Sequence, residues 1–356
     1  MKILHSADFH LDSPFSGRSA EETDLLRRAL LAVPERIADI CAAEKCDMVL
    51  LAGDLFDGTY SRESSRALYA AMERMAVPVF ISPGNHDFLS PNSPWEREKW
   101  PENVHVFTKD RIESVAVPAL DCRVYGAGYQ SMDCPGLLAG FRAEGQARYH
   151  IGILHADPTQ AAGPYCPMTA EQIRESGLNY LALGHVHKTG SFRAGETLCA
   201  WPGCPMGRGN DETGIRGILL TEVDETVRTT FLPLDTLRFY DLQTEAGNDA
   251  AAAVARLLPP AGSSDFYRIT LTGYANEPNL DAIRAQLANY PHLDLRDETI
   301  PETDLWGTAG DDSLEGLYFG MLRAGMEGQD EAACSRIRLA AQISRQILDG
   351  QEVRLP

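Results

Sequence analysis

Five short segments hold the residues able to do chemistry: Asp8-Phe9-His10, Gly53-Asp54-Leu55-Phe56-Asp57, Gly84-Asn85-His86-Asp87, His155 within Ile-Leu-His-Ala-Asp, and Gly184-His185-Val186-His187. Carboxylate, amide and imidazole together make the ligand set of a pair of divalent cations. Such a pair needs one carboxylate to bridge it and neutral donors to complete each shell; Asp54 is the natural bridge. Asp8 and His10, two residues apart beyond an apolar run, can turn toward one metal together, and His185 and His187 repeat the spacing. Asp-x-His alone recurs by chance. The ordered set is far more specific, because it takes His10, His86, His155, His185 and His187 and leaves His5, His105, His150 and His292 to ordinary core or surface roles. With no thiolate in it, the set suits manganese or iron better than a structural zinc.

Each motif follows a short apolar run, at residues 2–7, 48–52, 77–82, 149–154 and 180–183, of the kind buried on both faces of a sheet. Between the early runs, residues 23–43 space Leu25, Leu26, Leu30, Val33, Ile37 and Ile40 along one helical face, and residues 61–75 open a second helix on a serine. Alternating strand and helix predicts mostly parallel pairing with helices outside, and ligands gather at the carboxyl ends of such strands. After Gly184, shorter alternating pieces at 189–193, 197–201, 215–222 and 227–232 predict antiparallel strands of a second sheet. The expected fold is α/β, a four-layer αββα sandwich of two mixed sheets over residues 1–238. A small α+β module is expected over 239–310, from helical patterns at 248–258 and 280–288 and strand patterns at 267–274 and 292–300. A C-terminal helical segment, 311–356, carries Leu314, Leu317, Met321, Ile337, Leu339, Ile343 and Ile347 as apolar positions able to dock on something.

A net charge of −19 over 356 residues cuts against unaided nucleic-acid binding, which usually draws on a basic face. Either the substrate is small, or bound metals and a partner bring the positive charge. Eight cysteines without a Cys-x-x-Cys pair predict free thiols in a reducing compartment. With no apolar run of about 18 residues and no leader-like start, a cytoplasmic protein that does not enter a membrane is expected.

The string His5-Ser-Ala-Asp-Phe-His-Leu-Asp-Ser-Pro-Phe15, with Gly-Asp-Leu-Phe-Asp-Gly, Pro-Gly-Asn-His-Asp and Gly-His-Val-His, resembles the calcineurin-like metallophosphoesterase superfamily. Within it the likeness is to DNA-repair exonucleases of the SbcD and YhaO type, dense to about residue 235. The Asp-Ser-Pro-Phe extension and Trp201-Pro-Gly-Cys-Pro-Met-Gly-Arg208 carry that narrower match. The resemblance implies that Asp8, His10, Asp54 and His187 hold one metal and Asp54, Asn85, His155 and His185 the other, with manganese preferred and iron or magnesium as alternatives. It implies that His86 faces the scissile phosphate and stabilises or protonates the leaving oxygen, with Asp87 orienting its ring, while water activated by the metals attacks phosphorus. Asp57 stands where some relatives carry a histidine near the substrate; a carboxylate that orients a ligand is the other reading. Arg208 is a candidate phosphate contact. The resemblance implies that 239–310 is an α+β cap domain that helps position DNA, and that the partners are DNA, a coiled-coil ATPase of the SbcC type bound by the C-terminal helices, and a second copy in a homodimer; packing of those helices on the cap is the alternative to ATPase docking. The expected function is a metal-dependent DNA phosphodiesterase, exonuclease or endonuclease, in an SbcCD-like repair complex. A phosphodiesterase for a small nucleotide or other soluble phosphoester, and a non-catalytic scaffold for an ATPase, are the competing readings.

Overall fold

The computed structural model describes residues 1–353 apart from 274, 276, 277 and 301–304, so the end of the strand predicted at 267–274 and the last residues of the C-terminal segment lie outside the described residues. Two compact units divide the chain, Met1–Phe239 and Tyr240–Pro356.

In the first unit, β1 (Lys2–Ser6), β2 (Met48–Leu51), β3 (Val79–Ile81) and β4 (Val104–Val106) each pair in parallel with the next. A second sheet follows from β5 (Glu113–Val117), β6 (Cys122–Gly126), β7 (Tyr149–His155), β8 (Tyr180–Gly184), β9 (Gly190–Ala194) and β10 (Thr197–Trp201). Its order is β5-β6-β7-β8-β10-β9, parallel from β6 through β8 to β10 and antiparallel at both edges. The chain then returns to the first sheet with β11 (Gly217–Val223), antiparallel to β1, and β12 (Val227–Pro233), antiparallel to β11.

Two expectations do not hold. The alternating pieces after Gly184 do not together build an antiparallel second sheet: β10 joins β8 in parallel, and β11 and β12 extend the first sheet. Alternation reports a strand with one face more exposed than the other, and carries no information on which sheet receives it. The helix expected over 23–43 is two, α1 (Ala20–Leu31) and α2 (Val33–Ala43). Pro34 lies in the first turn of α2, where its missing N–H costs nothing, whereas inside a continuous helix its ring would crowd the preceding turn.

Ile3, Met48, Leu50 and Phe80 of the first sheet share one buried cluster with Val124, Ile151, Ile153 and Ala182 of the second, so the sheets pack face to face. Leu4, Val49 and Leu51, alternating with the inward residues, are also buried, and so is the apolar stripe of α1, α2 and α3 (Arg62–Met75), including Leu26, Leu30, Ile37, Leu68 and Met72. The short α4 (Pro94–Arg97) and α5 (Ala170–Glu175) follow; Ile173 of α5 packs with Leu154, Leu181 and Leu183 on the outer side of the second sheet.

From β13 (Phe239–Glu245), whose first residue closes the first unit, the second unit builds a sheet with β14 (Phe266–Thr272) and β15 (Leu293–Asp297), in that order, with β14 and β15 parallel. Helices α6 (Ala250–Ala255) and α7 (Leu280–Gln286) contribute Val254 and Ile283 to a core with Ile269, Leu271 and Leu295. Asp249 and Asn279 cap them, each accepting a backbone N–H of the first turn. Then α8 (Leu314–Ala324) and α9 (Glu331–Leu348) pair, with the Arg345 guanidinium 4.2 Å above the Phe319 ring. No described helix is long and apolar enough to cross a membrane.

Candidate metal centre

The loops leaving β1 and β2 run side by side: Asp8, His10 and Leu11 donate backbone N–H groups to the carbonyls of Gly53, Asp54 and Leu55, each at 2.9 Å. Asp8, His10, Asp54 and His185 take positive φ angles of 54°, 49°, 50° and 85°. That conformation is costly for residues with a Cβ, and it clusters where a chain must aim side chains into one spot. The two sheets also approach closely here. A Cβ on Gly53, at φ +87°, would stand 2.6 Å from His155 Nδ1, and one on Gly184 would strike the carbonyl of Ala52.

All seven predicted ligands are drawn together. In each of three triples, Asp8–His10–His187, Asp8–Asp54–His155 and His10–Asp54–His86, the candidate donor atoms lie within 4.8 Å of one another. Asn85 Oδ1 stands 3.0 Å from His155 Nε2 and 3.3 Å from His185 Nδ1. The His185 backbone N–H donates to the Asp8 carboxylate at 3.0 Å, and its ring tilts against Tyr165 with centroids 4.5 Å apart.

The outer nitrogens of these imidazoles settle which way the inner ones face. His155 Nδ1–H donates to Ala52 O at 2.9 Å, so Nε2 is the atom turned inward, 3.0 Å from Asn85 Oδ1 and 3.3 Å from Asp54 Oδ2. His10 Nδ1–H donates to Asp57 Oδ1 at 3.3 Å, and His187 Nδ1–H to Glu212 Oε1 at 2.6 Å. Their two Nε2 atoms face each other at 3.2 Å, and Arg208 Nη2 also lies 3.2 Å from His187 Nδ1. Imidazole nitrogens and carboxylate oxygens converging in a buried pocket are the arrangement that a cation among them satisfies.

The carboxylates make the same demand. Asp8 and Asp54 are 0% and 1% exposed, and among the described residues their only ion-pair partners are histidines. Burial pushes the Asp8 carboxyl above its usual range. Burial acts the same way on Asp54, yet His155, His10 and the His86 N–H hold it well below the usual range. Burial also lowers His155, but the Asp54 and Asp8 charges override it and push that imidazole up to about 9. The pocket attracts positive charge, and its mixed oxygen and nitrogen donors fit divalent cations.

Around the donors the supporting carboxylates differ from expectation. Asp87 does not orient His86. It is buried and accepts backbone N–H groups from Gly84 at 2.7 Å, Leu55 at 2.8 Å, Asp54 at 3.3 Å and Phe56 at 3.4 Å, which pins the turns that carry Asp54 and Asn85. Burial and the neighbouring Asp54 charge push its carboxyl up to about 7. Adjacent residues on a tight turn point apart, so the neighbour in sequence is not the neighbour in space. Asp57 makes the contact instead: its Oδ1 accepts His86 Nδ1–H at 2.9 Å as well as His10 Nδ1–H, and its Oδ2 accepts Ser13 Oγ–H at 2.8 Å. Those bonds hold the Asp57 carboxyl far below the usual range against the effect of burial, and the bond to Asp57 raises His86.

Arg208 is no exposed loop cation. Its Nη2 and Nε donate to Glu212 at 2.6 and 3.2 Å, and its Nη1 lies 4.0 Å from Asp57 Oδ2. Glu212, which orients His187 and anchors Arg208, went unread in the sequence. It follows His187 by 25 residues in a Gly-containing loop, and nothing marks it out among 51 acidic residues.

A family model described as calcineurin-like phosphoesterase matches residues 1–189. The chain is 31% identical over 346 residues to the uncharacterized metallophosphoesterase YhaO of Bacillus subtilis (strain 168), a match spanning 88% of this chain and 82% of that protein. The SbcD component of the nuclease SbcCD from the same organism is 26% identical over 259 residues, 60% of this chain and 64% of that protein. Among solved structures, a dimetal phosphatase from Danio rerio aligns with a TM-score of 0.43 at 14% identity, covering 65% of this chain and 98% of that one. With more than half of its length matched by the family model and most of it matched by YhaO, the chain belongs to the calcineurin-like phosphoesterase family, as a metal-dependent phosphoester hydrolase.

Proposed function

We propose that this protein hydrolyses DNA phosphodiesters as the nuclease subunit of an SbcCD-like repair complex. Asp8, His10, Asp54 and His187 would hold one divalent cation and Asp54, Asn85, His155 and His185 the other, manganese being the ion such a donor set suits. The convergence of donor atoms from Asp8, His10, Asp54, His155 and His187 in triples within 4.8 Å is the observation that carries the metal assignment. When bound, the cations supply the positive charge that a phosphoester's oxygens need and acidify the attacking water.

The chain's own side chains do the rest. Asp54 spans both ligand groups. Asp57 holds the Nδ1–H groups of His10 and His86, which leaves His86 Nε2 to hand a proton to the departing oxygen. Glu212 sets the His187 ring, and Arg208 ties Glu212 toward Asp57 and keeps both carboxylates in register. Asp87 keeps the second and third motif loops together.

The relative named as a subunit of nuclease SbcCD supports a nucleic-acid substrate, as does the resemblance carried by the Trp201–Arg208 segment. Residues 239–310 would act as a cap that positions DNA. Leu314, Leu317, Met321 and Ile347 stay 86%, 62%, 75% and 60% exposed on α8 and α9, which supports docking of a coiled-coil ATPase there. A cationic partner would also reconcile a polyanionic substrate with a net charge of −19. That same charge favours the second reading, a phosphodiesterase for a small soluble phosphoester. Manganese-supplemented digestion of end-labelled duplex, with and without the ATPase, separates the two. Cleavage of bis-p-nitrophenyl phosphate with intact duplex under both conditions would favour the small substrate.

A further inference from the structure

An open cavity of about 690 Å³ shares His187 with the metal centre and continues away from it along Lys188, Asp211, Ile215, Arg216 and Phe231. Its lining carries cations, the carboxylates of Asp211 and Glu212, and apolar side chains. Lys188 is exposed and has no ion-pair partner among the described residues, while Arg216 donates Nη1 to the His187 carbonyl at 2.5 Å, which fixes a guanidinium beside the candidate ligand. Two cations line one cavity on an acidic chain, and of the two carboxylates that line it Glu212 is already engaged by His187 and Arg208. Opposite in character, Ile215 leaves 56% of its surface in water, and the Phe231 ring is only partly covered. A phosphate alone would not need the apolar wall, and an apolar ligand would not need the cations. A nucleotide needs both, because its base has an apolar face that stacks on rings and aliphatic side chains while its phosphate seeks Lys and Arg.

We propose that this cavity binds the nucleotide adjoining the scissile bond, its phosphate at Lys188 and Arg216 and its base against Ile215 and Phe231. The Asp211 carboxylate offers an acceptor to a base amino group. This deepens the phosphodiesterase reading and rests on it. Continuity through His187 places the bound nucleotide one step from the phosphate at the metals.

The test compares two substrates of the manganese-loaded full chain: decathymidylate, which reaches the cavity, and bis-p-nitrophenyl phosphate, which carries no nucleoside. In Lys188→Ala and Ile215→Ser, the ratio of kcat/KM for the oligonucleotide to that for the small ester is expected to fall about tenfold, chiefly through KM. A ratio that stays constant, whether both activities hold or fall together, overturns the cavity assignment and leaves the metal centre standing. Wild-type protein that cleaves the small ester and not the oligonucleotide overturns the nuclease reading, and this assignment with it. Loss of activity on a glycerol phosphodiester, with the oligonucleotide unaffected, would transfer the cavity to a different ligand.

Discussion

Replacing Asp57 by Asn separates the observed contacts of His86 from those that sequence adjacency suggests. In the folded protein Asp57 Oδ1 accepts His86 Nδ1–H at 2.9 Å and His10 Nδ1–H at 3.3 Å. Asn keeps the shape and one acceptor oxygen but removes the charge. A hydrogen bond to a charged partner is worth roughly 1 kcal/mol more than a neutral one. Two imidazoles therefore lose about 2 kcal/mol, or about 30-fold in kcat/KM, in line with the 10- to 100-fold effect of removing a carboxylate behind a metal-bound histidine. Asp87→Asn should behave differently. Its carboxylate accepts N–H groups from Gly84 and Leu55 at 2.7 and 2.8 Å, and an amide NH₂ in that place would face donors. The expected result is a loss of about 1–3 kcal/mol of stability, a few degrees in Tm, with the rate per folded molecule much less affected. Hydrolysis of bis-p-nitrophenyl phosphate with manganese, metal content, and calorimetric Tm read the three quantities independently. Normal turnover in Asp57→Asn, together with a 30-fold loss at unchanged Tm in Asp87→Asn, would refute the assignment.

Three further outcomes are expected. His86→Ala should lower kcat by about 10²- to 10⁴-fold while sparing bound metal, because its role is proton transfer; full activity would remove it from the mechanism. Glu212→Gln should weaken metal affinity about 10- to 100-fold by freeing the His187 ring and Arg208, measured by manganese titration against a chelating dye, and an unchanged affinity would count against it. His5 should make the fold acid-sensitive. Its Nδ1 accepts Tyr180 O–H at 2.7 Å and its Nε2–H donates to Leu183 O at 3.0 Å, so the neutral ring is satisfied, and burial lowers its pKa from 6.5 to about 3. The unfolded chain takes up the proton first, so this stability is complete above pH 6.5 and drains away as pH falls toward 3, by about 2 kcal/mol at pH 5. Urea midpoints at pH 7 and pH 5 should fall less steeply in His5→Gln than in wild type, and equal slopes would reject the argument.

Much of this was legible in the sequence for one reason: a strand buried on both faces reads as an unbroken apolar run, and the residue just past its end is where a sheet presents side chains. That places Asp8 after β1, Asp54 after β2, His155 at the end of β7 and His185 after β8 without any knowledge of pairing. Pairing is nonlocal, and there the reading failed. Nothing in residues 215–232 says that they return to lie against β1, and β5, with alternate residues exposed, gave no continuous run to notice. Pro34 did stand in view as a helix breaker; the apolar periodicity of Leu30, Val33 and Ile37 runs through it because both helices bury the same kind of stripe. The supporting carboxylates were the least legible. Asp57 and Asp87 sit in equivalent-looking turns, and only the positive φ at Asp54 and the fold-back of the third motif decide which meets the histidines.

The central claim is that these donors exist to hold two cations. Crystals grown with manganese and measured at its absorption edge test it directly. Two anomalous peaks are expected, one among Asp8, His10, Asp54 and His187 and one among Asp54, Asn85, His155 and His185, with both lost in Asp54→Asn. A wild-type map without a peak in either place, from protein that still hydrolyses phosphoesters in the presence of chelator, would contradict it.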